Sequence, residues 1–488
     1  MHIVFVASEM APYAKTGGLA DVAGSLPAEL ANQGVHVSSV LPRYGVIDPL
    51  AEGFVYLEPS LVFGLAGATR KPHVWHRRAH PNHDIYLLEE PGLYDRPGLY
   101  GMGGRDFADN DYRFAFLCRA TLALVRALRI NPDVIHCNDW QTGIIPWACG
   151  REMAGVFPTV FTIHNMGYQG LFGQESMWAM GLHPSGFTGD GYEYYGAISC
   201  MKAGVMAATR ITTVSKRYAY EIQTPEFGFG MDAVLRGRQD AIVGILNGVD
   251  YSQWDPLRDR LLPAMYGPED LSGKHRCRAL LLREFDLEQP REGRGPVVGV
   301  VSRLTGQKGI DLIIQSAWRW LSGTGARLVV LGNGSKTLQD QLRGVQGFHP
   351  DQVGLRFEYN EELAHLMYAG CDMLLMPSKY EPCGLNQLYA MRYGTIPVVR
   401  ATGGLDDTVE HVRLDQDTGT GFKFEHATAD GVTWGMWRAI EVFRQPGPWT
   451  RLVRRAMAQD FSWSHSAQKY IALYRSIAGA PLLEGQRK

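Results

Sequence analysis

The chain of 488 residues has no two cysteines at CxxC spacing: its seven, at positions 118, 137, 149, 200, 277, 371 and 383, are scattered and odd in number. That pattern argues against a zinc ribbon and a disulfide framework and fits a reducing compartment. Neither sign of charge is in excess: 48 Lys and Arg against 50 Asp and Glu leave a net charge of -2. Nothing in that balance draws the protein onto nucleic acid. No apolar run reaches the ~18 residues a membrane span requires. The amino-terminal run meets Glu9 too soon to be a signal peptide. A cytoplasmic protein with no nucleic-acid and no membrane partner is the expectation. Two nucleotide signatures are missing as well. There is no Walker A sequence, and Gly332-Asn333-Gly334-Ser335-Lys336-Thr337 lacks the last glycine of a dinucleotide fingerprint, so it reads as an ordinary strand-to-helix turn.

What is abundant is hydrophobic residues, at 45%, and glycine, with 56 residues and no collagen period. This is globular composition with many tight turns. An apolar run at Ile3–Ala7 is followed by the loop Lys15-Thr16-Gly17-Gly18. A helix follows, with Leu19, Val22, Ala23, Leu26 and Leu30 on one face. Strand, glycine loop and helix form the opening unit of a βαβ fold. Further buried strands are expected at Val35–Leu41, Val134–His136, Val160–Ile163, Ile211–Val214 and Ile242–Leu246. The pattern restarts at Pro296–Ser302, with a helix at Lys308–Trp320 and strands at Arg327–Leu331, Met373–Met376 and Ile396–Val399. The charged stretch Asn247–Glu292 lies between the two sets. The expectation is therefore an α/β protein of two doubly wound, Rossmann-like domains, 1–250 and 251–458, whose sheet edges face a cleft.

Several loops carry candidate chemistry. Lys15 beside Gly17 and Gly18 sets a full positive charge at a helix amino terminus, a suitable place for phosphate, although a solvent lysine beside a turn has the same sequence. Arg303 and Lys308 flank another turn and offer a planar fork and a compact charge for a diphosphate. Glu381-Pro382-Cys383-Gly384-Leu385 follows an apolar strand and opens a helix, and Thr402-Gly403-Gly404 repeats that arrangement. His164-Asn165 and Asp139-Trp140 each end a strand. Asp21, one turn into the first helix, reads locally as a solvated carboxylate. His73, His76, His80 and His83 have the spacing of a helical metal site, but Pro81 interrupts any helix there. A polar loop before the strand at Ile85–Leu88 is expected instead.

Taken together, SEMAPYAKTGGLADV, CNDWQ, FTIHNMGYQG, SRLTGQKG, SKYEPCGLNQLYAMRYGT and TGGLDDTV resemble the bacterial glycogen synthase and plant starch synthase family. Nearly the whole chain takes part. The resemblance implies a GT-B fold and transfer of glucose from ADP-glucose to the non-reducing end of an α-1,4-glucan, with retention and with no cofactor or metal. It implies that Lys15 and Gly18 contact ADP-glucose, that His164 and Asn247 lie near the sugar, and that Arg303 and Lys308 hold the diphosphate. Glu381 would grip the glucose with the Cys383, Gly384 and Leu385 backbone and Thr402 nearby. Tyr359 would stack near the adenine, and Asp21, Asp139 and Trp140 would face the acceptor. A helix from Asp460 to Ile477 would cross back to the first domain, making 459–488 a separate carboxy-terminal element. Two positions depart from common patterns. Tyr389 stands where related retaining enzymes carry a second glutamate, and Asn138 and Gln141 stand where bacterial members commonly have histidines.

Overall fold

A computed structural model describes residues 1–58, 61–152, 157–289 and 295–479. The chain divides into two compact units, one of Met1–Gly248 with Trp463–Lys488 and one of Val249–Ser462. Each is built on a sheet whose central strands are short apolar runs, because helices cover a parallel sheet on both faces.

Among the described residues, the large sheet of the first unit contains β1 (His2–Val6), β2 (His36–Pro42), β3 (Val55–Leu57), β4 (His73–His80), β5 (His83–Glu89), β6 (Val134–Asn138), β7 (Thr159–Ile163), β8 (Arg210–Thr213) and β9 (Ile242–Gly244). Their order across the sheet is β9-β8-β7-β6-β1-β2-β5-β4-β3. From β9 to β5 the strands are parallel, while β4 and β3 are antiparallel additions at one edge. The order reverses between β1 and β6, where the chain stops building one side and starts the other. Open α/β sheets bind ligands at such a point.

The second unit has β10 (Val297–Val301), β11 (Arg327–Leu331), β12 (Val353–Arg356), β13 (Met373–Met376), β14 (Ile396–Arg400) and β15 (Phe422–Phe424). They run parallel in the order β12-β11-β10-β13-β14-β15, so the reversal lies between β10 and β13. The helices that matter below are α1 (Gly18–Asn32), α2 (Ile310–Leu321), α3 (Asn386–Arg392), α4 (Gly403–Thr408) and α5 (Trp463–Ile477). Helix α5 belongs to the first unit. There Gln33 donates to the Ser464 carbonyl (3.2 Å), and the Tyr474 hydroxyl meets His136 Nδ1 (2.7 Å). Among the described residues no helix is long and apolar enough to cross a membrane.

The histidine segment is not the polar loop expected from Pro81. It is a hairpin, with β4 paired antiparallel to β5. Asp84 explains it: this buried carboxylate accepts from His76 (2.7 Å) and Arg78 (2.9 Å) and pairs with His36 (3.2 Å). His83 bonds Ser39 (2.8 Å) and His73 pairs with Glu89 (3.6 Å). The spacing reflects cross-strand partners rather than a shared metal. Helix α2 begins at Ile310, two residues later than expected, because Gly309 takes a left-handed conformation (φ 68°).

Candidate active site

At the reversal of the second sheet, four consecutive loops meet along the carboxyl edge. The loop after β10 carries Arg303 and Lys308. Its Leu304 amide donates to Asn333 O (2.8 Å) in the loop after β11, and its Gln307 carbonyl accepts from Lys379 N (2.8 Å) in the loop after β13. Gly309 permits this contact, since a Cβ there would lie 2.2 Å from the Pro377 carbonyl oxygen. Lys308 Nζ thereby reaches Glu381 Oε2 at 2.5 Å, across the reversal point. The same oxygen accepts from Ser378 Oγ (2.9 Å). The pair is largely buried, with the Lys308 side chain 19% exposed and that of Glu381 6%. Arg303 is exposed on the same loop.

The loop of Glu381 is held from both sides. Asn386 donates to the Val301 carbonyl (2.6 Å), tying the start of α3 to the end of β10. Gln387 donates to the carbonyls of Cys383 (3.0 Å) and Gly384 (2.9 Å). From the loop after β14, Gly404 N donates to Glu381 O (3.1 Å); a Cβ at Gly403 would lie 1.8 Å from Glu381 O and one at Gly404 2.0 Å from Cys383 O. Glycine is required here by close backbone approach, and buried Thr402 occupies the position just before α4. Gly384 has φ 70°. Tyr359 follows the edge strand β12 and is 79% exposed. Two strand spacings, about 10 Å, separate β12 from β10.

Tyr389 has a packing role that a glutamate cannot take. Its ring stacks on Trp254 (4.0 Å), and His365 stacks on the same indole at 3.9 Å. The position of the second glutamate is filled by an aromatic layer.

At the reversal of the first sheet the groups are different. Asp139, after β6, has φ 56°, a strained conformation for a residue with a side chain. Its Oδ1 accepts from His164 N (2.8 Å), which joins the loops after β6 and β7. Burial pushes the Asp139 carboxyl up to about 7, with a smaller contribution from the charge of Glu9. Burial likewise pushes His164 down to about 3, so its ring is neutral. Asn138 sets the tautomer. Its amide nitrogen donates to Val6 O (2.9 Å), which turns its oxygen toward His164 Nε2 (2.9 Å). Nε2 therefore carries the hydrogen and Nδ1 the lone pair. Trp140 packs edge-on against Phe114 (5.0 Å) and beside Phe172 (5.6 Å). Gly170, with φ 59°, leaves room for the indole, since a Cβ would lie 2.3 Å from it. Asn247, after β9, is buried, and its Oδ1 has no hydrogen-bond partner among the described residues.

The loop after β1 carries Lys15 and Gly18. Lys15 Nζ pairs with Asp21 Oδ1 at 2.6 Å, so Asp21 is a partner of Lys15 rather than a solvated carboxylate. Ideal Cβ atoms on Gly17 and Gly18 meet nothing within 4 Å, and neither residue has a left-handed φ. Neither fold nor conformation demands glycine at these two positions.

Within the second unit the structure thus joins Lys308, Glu381, Cys383, Gly384 and Thr402 through direct contacts or a shared loop. Within the first it joins Asp139 to His164 and Lys15 to Asp21, and it links Trp140 to the same loop. The Asn247 Oδ1 makes no hydrogen bond to any of them. Sequence reasoning missed Ser378, the organising role of Asn138, and Glu9, whose carboxylate accepts from the Lys15–Gly18 loop. Asn138 bonds Val6 and His164 and Glu9 bonds Tyr100 across the sequence, while Ser378 lies only three residues from Glu381; in each case only position at a strand's carboxyl end marks the residue.

Two parallel-sheet units with polar loops at both reversal points fit the GT-B class of glycosyltransferases. Comparison with known proteins agrees. Residues 2–237 match the family model of the starch synthase catalytic domain, and residues 283–440 that of glycosyl transferases group 1. A glycogen synthase of Anaeromyxobacter dehalogenans is 47% identical, over 98% of this chain and 99% of its own. One from Myxococcus xanthus is 43% identical over 98% and 99%. The catalytic domain of starch synthase IV from Arabidopsis thaliana, solved bound to ADP and acarbose, superposes with a TM-score of 0.89 at 32% identity, covering 98% of this chain and 99% of that one. The chain belongs to the glycogen and starch synthase family of glycosyltransferases.

Proposed function

We propose that this enzyme transfers glucose from ADP-glucose to the non-reducing end of an α-1,4-glucan with retention of configuration. The observation that carries the reading is the Lys308–Glu381 pair spanning the reversal point of the second sheet, with Arg303 on the same loop. Breaking the anomeric C–O bond loads negative charge onto the leaving diphosphate and partial positive charge onto the sugar. Fixed cations at the diphosphate stabilise the first, and each such contact in a preorganised site contributes about 3–4 kcal/mol.

In this reading Lys308 exchanges partners when donor binds. Its ammonium turns to the diphosphate beside Arg303, and the Glu381 oxygens it releases accept from glucose hydroxyls. Tyr359 offers an exposed ring for the adenine, within reach of a diphosphate held at β10. His164 presents the Nδ1 lone pair of a neutral imidazole to a sugar hydroxyl, and the unpartnered oxygen of Asn247 accepts from another. Lys15 and the open space beside Gly18 are suited to contact the nucleotide sugar, and Trp140, braced by Phe114 and Phe172, offers a ring to the acceptor.

Incubating ADP-glucose with glycogen, following ADP release and digesting the product for linkage tests this directly. New α-1,4 bonds with stoichiometric ADP are expected. Turnover with UDP-glucose alone overturns the donor assignment, and no turnover with either donor leaves only a glucan-binding protein of the same fold.

A further inference from the structure

The loop that bears Lys15 and Gly18 is held by one residue that nothing above assigns to the reaction. Glu9 follows β1 and is 4% exposed. Its Oε2 accepts from the amides of Thr16 (2.6 Å) and Gly17 (3.1 Å), and its Oε1 accepts from Thr16 Oγ1 (2.7 Å) and Tyr100 Oη (2.6 Å). Tyr100 is braced in turn by Ser8 Oγ (2.8 Å). The chain between is closed by paired backbone bonds between Met10 and Ala14 (3.0 and 2.9 Å).

Among the described residues no cation faces this carboxylate; its donors are two amides and two hydroxyls. Burying a carboxylate without a counter-ion carries a desolvation penalty that its hydrogen bonds must offset. An uncharged acceptor such as glutamine can meet the same four groups without that penalty, whereas an apolar side chain leaves the Thr16 and Gly17 amides without their acceptor. What the carboxylate achieves is directional. It draws the Thr16 and Gly17 amides inward to the end of β1. The α-carbons of Gly17 and Gly18 are left facing open space, and Lys15 stands at the entry to α1.

We infer that Glu9 is a positioning residue for donor binding: its four accepted hydrogen bonds fix the Lys15–Gly18 loop in the geometry that receives the nucleotide sugar. The inference rests on the reading of that loop as a donor contact.

The bonding pattern also says which substitutions separate geometry from charge. In Glu9→Gln the carboxamide oxygen can keep both backbone amides, while its NH2 group turns to the hydroxyls of Thr16 and Tyr100, which accept as well as donate. In Glu9→Ala every anchor is lost. Thr16→Val, at an exposed position, removes a single donor without touching the core.

The experiment measures kcat and KM for ADP-glucose and for glycogen in Glu9→Ala, Glu9→Gln, Thr16→Val and Lys15→Gln, well below each variant's thermal midpoint. Glu9→Ala should raise the donor KM at least 10-fold and lower kcat/KM for donor about 100-fold, with the glycogen KM changed less than 2-fold. Glu9→Gln should recover most of that loss, and Thr16→Val should show a donor-selective loss of about 3- to 10-fold. If Lys15→Gln impairs donor use while folded Glu9→Ala and Thr16→Val do not, Glu9 is not a positioning residue. Should Glu9→Ala fail to fold, the donor KM of Thr16→Val decides in the same way. If Lys15→Gln itself leaves donor kinetics unchanged, the reading of the loop fails first. Equal effects of Glu9→Ala on donor and glycogen KM would mark a general structural role and also overturn the inference.

Discussion

At the reversal point of the second sheet the functional groups are ionic and matched: Lys308 lies against Glu381, with Arg303 exposed on the same loop. At the reversal point of the first sheet they are buried and largely uncharged in character. His164 is kept neutral and the Asp139 carboxyl is held near pH 7. Asn138 and Asn247 contribute amides, and the cation Lys15 is tied to Asp21 at the rim. The same topological device therefore carries different electrostatics. A leaving diphosphate calls for fixed positive charge, while a sugar calls for hydrogen-bond acceptors and donors. The glycines of these loops are of two kinds. Gly309, Gly403 and Gly404 are imposed by backbone contacts in the second unit and Gly170 by the Trp140 ring in the first, whereas ideal Cβ atoms on Gly17, Gly18 and Gly306 meet nothing. A glycine that the fold does not need leaves open space at its α-carbon.

The largest effect expected from breaking this contrast is at the ionic edge. Lys308→Ala and Arg303→Ala should each lower kcat by ~10²–10³ in steady-state assays. Full turnover by both variants would remove charge stabilisation from the account. Lys308→Ala should also lower the thermal midpoint, because it leaves the Glu381 carboxylate buried with Ser378 as its remaining side-chain partner.

A smaller and opposite pair of effects separates the two classes of glycine. Gly404→Ala should destabilise by about 1–3 kcal/mol through overpacking against the Cys383 carbonyl. Gly18→Ala should leave stability unchanged or raise it by about 0.4–1 kcal/mol, while weakening donor binding severalfold in a titration with ADP-glucose. Equal destabilisation by both would erase the distinction.

A third contrast lies in pH dependence. Burial lowers both His136 and His164 to about 3, below the ~6.5 of an unfolded histidine. The unfolded chain therefore binds protons first as pH falls. Their contribution to stability is complete above about 6.5 and is lost progressively toward 3. Asp139 has the opposite sign. Its folded value of about 7 lies above the ordinary 3.8, so its contribution is present below the ordinary value and is lost as pH rises through 7. Denaturation series from pH 4 to 8 on His164→Asn should show a flatter acid limb than the parent, and those on Asp139→Asn a flatter limb approaching pH 7.

Much of this architecture was readable from the amino-acid pattern. Apolar β-branched runs such as Val297–Val301 have few alternatives to a buried strand, and paired glycines at their ends mark the loops. Lys308 and Glu381 were each recognisable as polar groups at a sheet edge. Their pairing was not, because it joins positions 73 apart through the strand order. Glu9 was read only as a charge that ends an apolar run; its meaning depends on Tyr100, 91 residues away. The histidine hairpin was misread for a related reason. Pro81 and polar side chains look like a loop until Asp84 supplies the cross-strand partner that makes them an edge strand. Period and punctuation give elements, whereas pairing across elements depends on topology.

If the donor's diphosphate is held at the reversal point of the second sheet, a crystal structure of the enzyme with ADP-glucose will show it. Phosphate oxygens are expected within hydrogen-bond distance of Lys308 Nζ and the Arg303 guanidinium, with Glu381 turned to the hexose. A diphosphate bound away from both cations, with the Lys308–Glu381 pair intact, would contradict that placement.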